Sequence, residues 1–238
     1  MQTEIKLGEI TVDVLLKDIK NIHLSVYPPT GRVRISAPLR FDIDTIRIFA
    51  ISKLGWIKKQ QTKLRSQERE SPREYVERES HYFMGRRYLL KISETDLAAT
   101  VVLRHSQIEL VVKRGATKEQ RRRLLEGWYR QQVKKKAEDV ISKWASQIGV
   151  RVFEFGVKKM RTKWGSCNKD AKRIWINLEL AKKPPGCLEY IVVHELLHLI
   201  ERNHGARFVG LMDRFMPQWR QYRDELNSLP VSHSNWRY

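Results

Sequence analysis

His194, Glu195 and His198 stand in the run Tyr190-Ile-Val-Val-His194-Glu195-Leu-Leu-His198, which continues through Asn203, His204 and Gly205 to Phe208. On a helix, two histidines four residues apart project about 40° from one another and lie one turn apart. Imidazoles so placed chelate one zinc ion, and a glutamate beside the first can reach a water at that metal. His204 is a candidate third ligand, yet on a continued helix it would project roughly 240° away from His198. The helix is therefore expected to end or bend between the two, with Asn203 and Gly205 as the residues that tolerate a left-handed backbone. Three imidazoles leave one position of a tetrahedral zinc open, the arrangement of a catalytic rather than a structural site. The rival reading is an apolar core helix whose histidines satisfy each other. Burying two imidazoles and a carboxyl among Ile191, Val192, Val193, Leu196 and Leu197 is costly without a partner, which favours the metal.

The elements that must position these groups follow from periodicity. Short alternating runs fill the first forty residues, with Gly8-Glu9 as a hairpin turn and Pro28-Pro29-Thr30-Gly31 as another. Asp42 caps a helix whose apolar stripe is Ile43, Ile46, Ala50, Leu54 and Ile57. A hairpin through Gly85 and strands at 101–103 and 108–112 follow, so the reading to residue 115 is one small twisted sheet with a helix. Thr117-Lys-Glu-Gln120 is a capping box opening the longest helix, which Gly149 ends. Beyond it lie a small sheet, including Arg173 to Leu178, the break Pro184-Pro185-Gly186, and the helix with the histidines. The expected fold is α+β: an N-terminal β-rich domain over 1–115 and a zincin-like core over 116–238.

The chain of 238 residues has a formal net charge of +19. Residues 151–183 hold 10 Lys or Arg against 3 Asp or Glu, a field that attracts polyanions. A nonspecific nucleic-acid contact through this basic surface is one expectation, with Arg121, Arg122 and Arg123 as its test positions. No run approaches the ~18 apolar residues of a membrane span. Cys167 and Cys187 form no Cys-x-x-Cys pair, so a reduced, cytoplasmic setting is expected.

The order Trp164-Gly-Ser-Cys167, Ile176-Asn177-Leu178, Pro184, Tyr190 to His198 and Asn203-His204 to Phe208 resembles the YgjP-like metallopeptidase-domain family. That family is related to the SprT-like and minimal gluzincin-type zinc proteins. The resemblance covers nearly the whole chain; it implies His194, His198 and His204 as ligands of one zinc per chain and Glu195 as general base. A metzincin reading is rejected, because Glu201 stands where that motif needs its turn glycine.

A zinc-dependent hydrolase of the metallopeptidase type is the leading expectation, with a protein or peptide substrate, including protein associated with nucleic acid. Its alternatives are a metal-dependent nucleoside triphosphate pyrophosphohydrolase and a basic nucleic-acid-binding module with structural zinc. Arg161, Lys163, Trp164 and Arg207 are candidate substrate contacts by proximity in sequence. The stretch Trp164 to Cys167 is a candidate edge strand for an extended peptide. Cys167 as a fourth ligand would instead close the site.

Overall fold

The computed structural model describes residues 2–27, 30–66, 71–160 and 163–230. The expected turn residues Pro28 and Pro29, and Arg161, lie outside them. The chain divides into two compact units, the first running to Glu70 and the second beginning at Ser71.

In the first unit, strands β1 (Gln2–Leu7), β2 (Ile10–Lys17), β3 (His23–Tyr27) and β4 (Arg32–Pro38) form one sheet in the order β1-β2-β4-β3. Asp42 caps the following helix by accepting from the Thr45 N–H at 2.7 Å. The single helix expected there is broken at Lys53 into α1 (Ile43–Ser52) and α2 (Leu54–Ser66). Ile46, Ala50 and Ile57 bury the helical face against Ile5, Val12, Val14, Val33 and Ile35. Each such aliphatic side chain, once buried, contributes about 1.5–3 kcal/mol.

The second unit opens with β5 (Ser80–Phe83), β6 (Arg86–Thr95), β7 (Thr100–Leu103) and β8 (Gln107–Lys113), in the order β5-β6-β8-β7. The two sheets share one plan: an antiparallel hairpin, a parallel central pair, and an antiparallel return. One residue beyond the core pairs Val12/Val33 and Leu90/Ile108, each central pair carries opposite charges. Asp13 faces Arg34 and accepts from Arg32 Nε at 2.5 Å, and Lys91 faces Glu109 at 3.0 Å.

The boundary expected at 115/116 is thus corrected to 70/71, and the single N-terminal sheet to two sheets. Hydrophobic packing is the reason. Tyr88, Leu90, Ile108 and Leu110 of the second sheet share one core with Leu125, Tyr129 and Val133 of the long helix α3 (Lys118–Ile148). That helix carries the expected capping box, and its C-cap Gly149 is left-handed at φ 78. Its buried face runs Leu125, Tyr129, Val133, Ala137, Ile141, Trp144 and Ile148.

A three-stranded sheet follows, β9 (Glu154–Lys158), β10 (Gly165–Asn168) and β11 (Arg173–Asn177), in the order β10-β11-β9. After a 3-10 turn at Leu178–Lys182 come α4 (Pro185–Leu197), α5 (Ala206–Phe215) and α6 (Trp219–Ser228). The architecture is mixed α+β, with six helices among the described residues, none long and apolar enough to cross a membrane. Nine residues of α4 are buried, and it packs against α3, α5, α6, β10 and β11. The helix that bears the motif is the centre of its unit.

Candidate metal centre

Helix α4 ends at Leu197, and His198 caps it. The chain then tightens: Leu199 and Ile200 donate to carbonyls three residues back, and the Glu201 N–H donates to Leu197 O at 2.8 Å. The expected left-handed turn at Asn203 and Gly205 is corrected, since neither residue has a positive φ and Gly205 is an extended N-cap for α5. Tightening directly after the second histidine already turns the chain, so no left-handed residue is required. It returns His204 to the face that a continued helix would have denied it.

His194 Nε2 lies 3.1 Å from His198 Nε2 and 3.0 Å from His204 Nε2. The three ligand atoms fall within 4.8 Å of one another. A tetrahedral zinc with Zn–N near 2.0–2.1 Å separates its nitrogens by about 3.3 Å, close to the two separations measured from His194, and the His198 and His204 nitrogens would draw together around a bound ion. His198 Nδ1 lies 3.0 Å from the Glu201 carbonyl; donating there fixes the tautomer and leaves the Nε2 lone pair for a metal. Burial, then His198 and His204, holds the His194 imidazole down to about 3. Burial likewise lowers His198. These two rings are therefore neutral at ordinary pH, as metal ligands must be. Neutral imidazole nitrogens brought this close, without enough protons to bridge them all, would be satisfied by a cation, and the donor set fits zinc.

Phe208 of α5 backs the trio. Its ring centroid lies 5.0, 4.8 and 4.9 Å from those of His194, His198 and His204. The ring is buried and excludes water from the side of the histidines it covers.

Glu195 is buried beside the first histidine. Burial pushes its carboxyl up to about 7, against the opposing pull of Lys163. Its side chain runs along the backbone of Gly165 on β10. Opposite Gly165 on β11 is Ile176, followed by Asn177. Asn177 Nδ2 donates to Met160 O at 2.9 Å and Lys163 O at 2.7 Å, and its own N–H donates to Trp164 O at 2.9 Å. This buried amide therefore fixes the loop that delivers Lys163, Trp164 and β10 to the site.

The histidines and Glu195 open into a cleft of about 720 Å³. Lys163 and Trp164, two of the candidate substrate contacts, line it. Trp164 also packs on the core, and Lys183 Nζ lies 5.9 Å from its ring. Arg207 does not line it: the side chain is exposed and turns toward Glu201 at 3.8 Å, a correction that follows from its place on the first turn of α5. Cys167 lines the cleft without joining the ligand trio, and burial, with Glu195 nearby, pushes its thiol up to about 11. A thiol so protonated is a poor metal ligand. Sequence reasoning missed Lys169, Arg202 and Arg223, which add positive charge to the walls, and Tyr190, which lies one helical turn before His194. The spacing of Tyr190 was a usable signal; the arginines and Lys169 come from separate elements and carried none.

No match is found among curated proteins. Among solved structures, the metallopeptidase zymogen jannalysin of Methanocaldococcus jannaschii is similar over 38% of this chain and 92% of its own, at 19% identity and a TM-score of 0.35. The metallopeptidase zymogen abylysin of Pyrococcus abyssi is similar over 38% of this chain and 90% of its own, at 16% identity and a TM-score of 0.35. The family described as YgjP-like, metallopeptidase domain, matches residues 20–229, and the chain belongs to that family.

Proposed function

We propose that this chain is a zinc-dependent peptidase with a zincin-like core, in which Glu195 acts as the general base for attack of water on a peptide carbonyl. One observation carries the reading: the buried carboxyl of Glu195 stands beside three imidazoles whose ligand atoms lie within 4.8 Å of one another. His194, His198 and His204 would hold the ion, which when bound supplies Lewis acidity toward water and a carbonyl oxygen. Beside a bound dication the Glu195 carboxyl would come down from the high value that burial gives it, which keeps it ionised and able to accept a proton. Glu195 takes the proton from the attacking water and returns it to the leaving amine.

The sheet edge supports a peptide substrate. Because the Asn177 N–H donates to Trp164 O and the register is antiparallel, Ser166 and Asn168 turn their backbone groups toward β11. Gly165 and Cys167 then turn theirs toward the open side of β10, where the cleft lies. An extended peptide can pair there. A second reading, hydrolysis of a nucleoside triphosphate phosphoanhydride, draws on Lys163, Lys169, Arg202 and Arg223 in the cleft walls.

The test compares wild type with Glu195→Gln on casein, peptide libraries and nucleoside triphosphates, with zinc content measured in parallel. Peptide cleavage that falls 10²–10⁴-fold in the variant, at unchanged zinc, is the expected result. Cleavage of triphosphates alone would move the assignment to the second reading. Equal turnover by the variant would remove Glu195 from the mechanism, and zinc without turnover on any substrate would make the metal structural.

A further inference from the structure

The three-stranded sheet has a second face, turned away from the core. Ile174 and Ile176 of β11 are buried, so Arg173 and Trp175 point the other way, as does Asn177, which is buried there by its bonds to Met160 O and Lys163 O. In register with them are Glu154, Gly156 and Lys158 of β9, and Ser166 and Asn168 of β10. Trp175 lies over Gly156, so close that a Cβ there would collide with the indole. Lys158 Nζ sits 4.5 Å from the centre of the Trp175 ring, and Arg173 Cζ 5.8 Å. Just before β9, Phe153 is 71% exposed. Its N–H donates to Lys172 O at 2.9 Å, and Lys172 Nζ lies 4.9 Å from its ring. Phe153 stands three positions, about 10 Å, before Gly156 and just outside β9, at the end of the sheet rather than within its face.

An aromatic laid over a strand glycine is a known packing device and explains why Trp175 covers Gly156. It does not explain Phe153, which gains little from burial, or the cation resting on each ring. Residues 151–175 hold eight Lys or Arg against two Asp or Glu. One of those two, Glu154, is paired with Arg173 at 3.4 Å. The arginine run of α3, by contrast, is engaged locally: Arg122 and Arg123 pair with Glu119, and Arg121 donates to Tyr75 O.

We propose that this face and the adjoining end of the sheet, where β9 and β11 begin, bind single-stranded nucleic acid, with bases stacked on Trp175 and Phe153 and phosphates held by Lys158 and Lys172. Every base has a π-face, so such stacking is tolerant of sequence, while a duplex keeps its bases stacked on each other. A base arriving on either ring displaces the lysine, whose ammonium then meets the neighbouring phosphate. The proposal does not depend on the peptidase reading. Ser166 and Asn168 belong both to this face and to the cleft rim, so a bound strand would run beside the metal centre.

The experiment is fluorescence anisotropy of a labelled 15-nucleotide oligo(dT), and of a mixed-sequence duplex of equal length, titrated with the full chain at 50 and 200 mM salt. Single strands should bind more tightly than duplex. Phe153→Ala, an exposed position whose loss leaves folding and zinc content intact, should weaken single-strand binding about tenfold. Lys158→Ala with Lys172→Ala should reduce the slope of log affinity against log salt by about 1.4, at ~0.7 per phosphate contact. Lys134→Ala with Lys135→Ala removes the same charge from α3 and should change affinity less than twofold. Wild-type binding by Phe153→Ala, equal binding of duplex, or equal loss in the α3 pair would each overturn the proposal, the last by showing a diffuse field rather than a site.

Discussion

A Cβ built on Gly165 would stand 2.6 Å from Oε1 of Glu195 and 2.7 Å from its Cγ. The glycine on β10 and the carboxylate on α4 thus define each other: the strand can pass only because it has no side chain there, and the carboxyl can sit only where the strand lets it. Desolvation by that close backbone is part of why the carboxyl titrates so high.

Gly165→Ala should therefore act on Glu195 rather than on the metal. Displacing the proposed general base is expected to lower kcat by about 10²-fold or more, and overpacking should cost about 1–3 kcal/mol of stability. Zinc content should stay near one per chain. Steady-state kinetics, thermal unfolding and metal analysis on one preparation separate these effects, and unchanged kcat would show that the carboxyl has room to move.

His194→Ala or His198→Ala should abolish tight zinc binding, and His204→Ala should weaken it severely. Phe208→Ala keeps all three nitrogens but removes the ring packed against them, so affinity should drop by about tenfold or more. Competition with a chromophoric chelator reads these differences directly. If Phe208→Ala matches wild type, the imidazoles hold their geometry without it.

Asn177 satisfies four backbone groups of the loop before β10 and the turn after β11. Asn177→Ala should lower stability by about 1–3 kcal/mol through the carbonyls left unmatched. It should also raise KM more than it lowers kcat, because it loosens the strand proposed to hold substrate while leaving Glu195 on its helix. Urea titration and a kcat against KM comparison test both parts.

Stability should fall on acidification through His81. Burial lowers the imidazole, outweighing Glu79, whose Oε2 lies 2.8 Å from His81 Nε2. With the folded pKa below the unfolded value of 6.5, the unfolded chain takes the proton first, and stability is lost as pH drops below that value. Glu79 works in the same direction at lower pH. Burial alone would raise it, but the Glu74 N–H, His81 and the Tyr75 N–H hold it below 4.5. Urea midpoints at pH 7.5, 6.5 and 5.5 should decline less steeply in His81→Gln than in wild type; parallel slopes would assign the decline elsewhere.

The helix that carries the candidate metal site was legible because its pattern is local in sequence. Spacing alone pairs His194 with His198, and the capping box at Thr117 and the stop at Gly149 need only a few residues each. Pairings over longer range were less readable. Nothing in the run from Tyr82 to Val112 says that these strands bury their faces on Leu125 and Tyr129 rather than on the first sheet, so the domain boundary was misplaced. The return of His204 was anticipated, but its means was not: hydrogen bonds tightening after His198 leave no mark on composition. Gly165 read as part of a motif, yet its reason lies thirty residues away on another element.

The exchanged charges in the two like sheets carry a consequence for assembly. Were β2 to take β8 as its neighbour in the register of its true partner, Asp13 would face Glu109. β6 laid beside β4 would set Lys91 against Arg34. Like charges directly opposite disfavour a strand pair, and here both carboxylates are nearly buried, at 4% and 8% exposure. Two sheets of identical plan are each other's most tempting wrong partners, within one nascent chain or between two chains at high concentration. Their inverted polarity sets an electrostatic cost on pairing with the copy that pairing with the original does not carry.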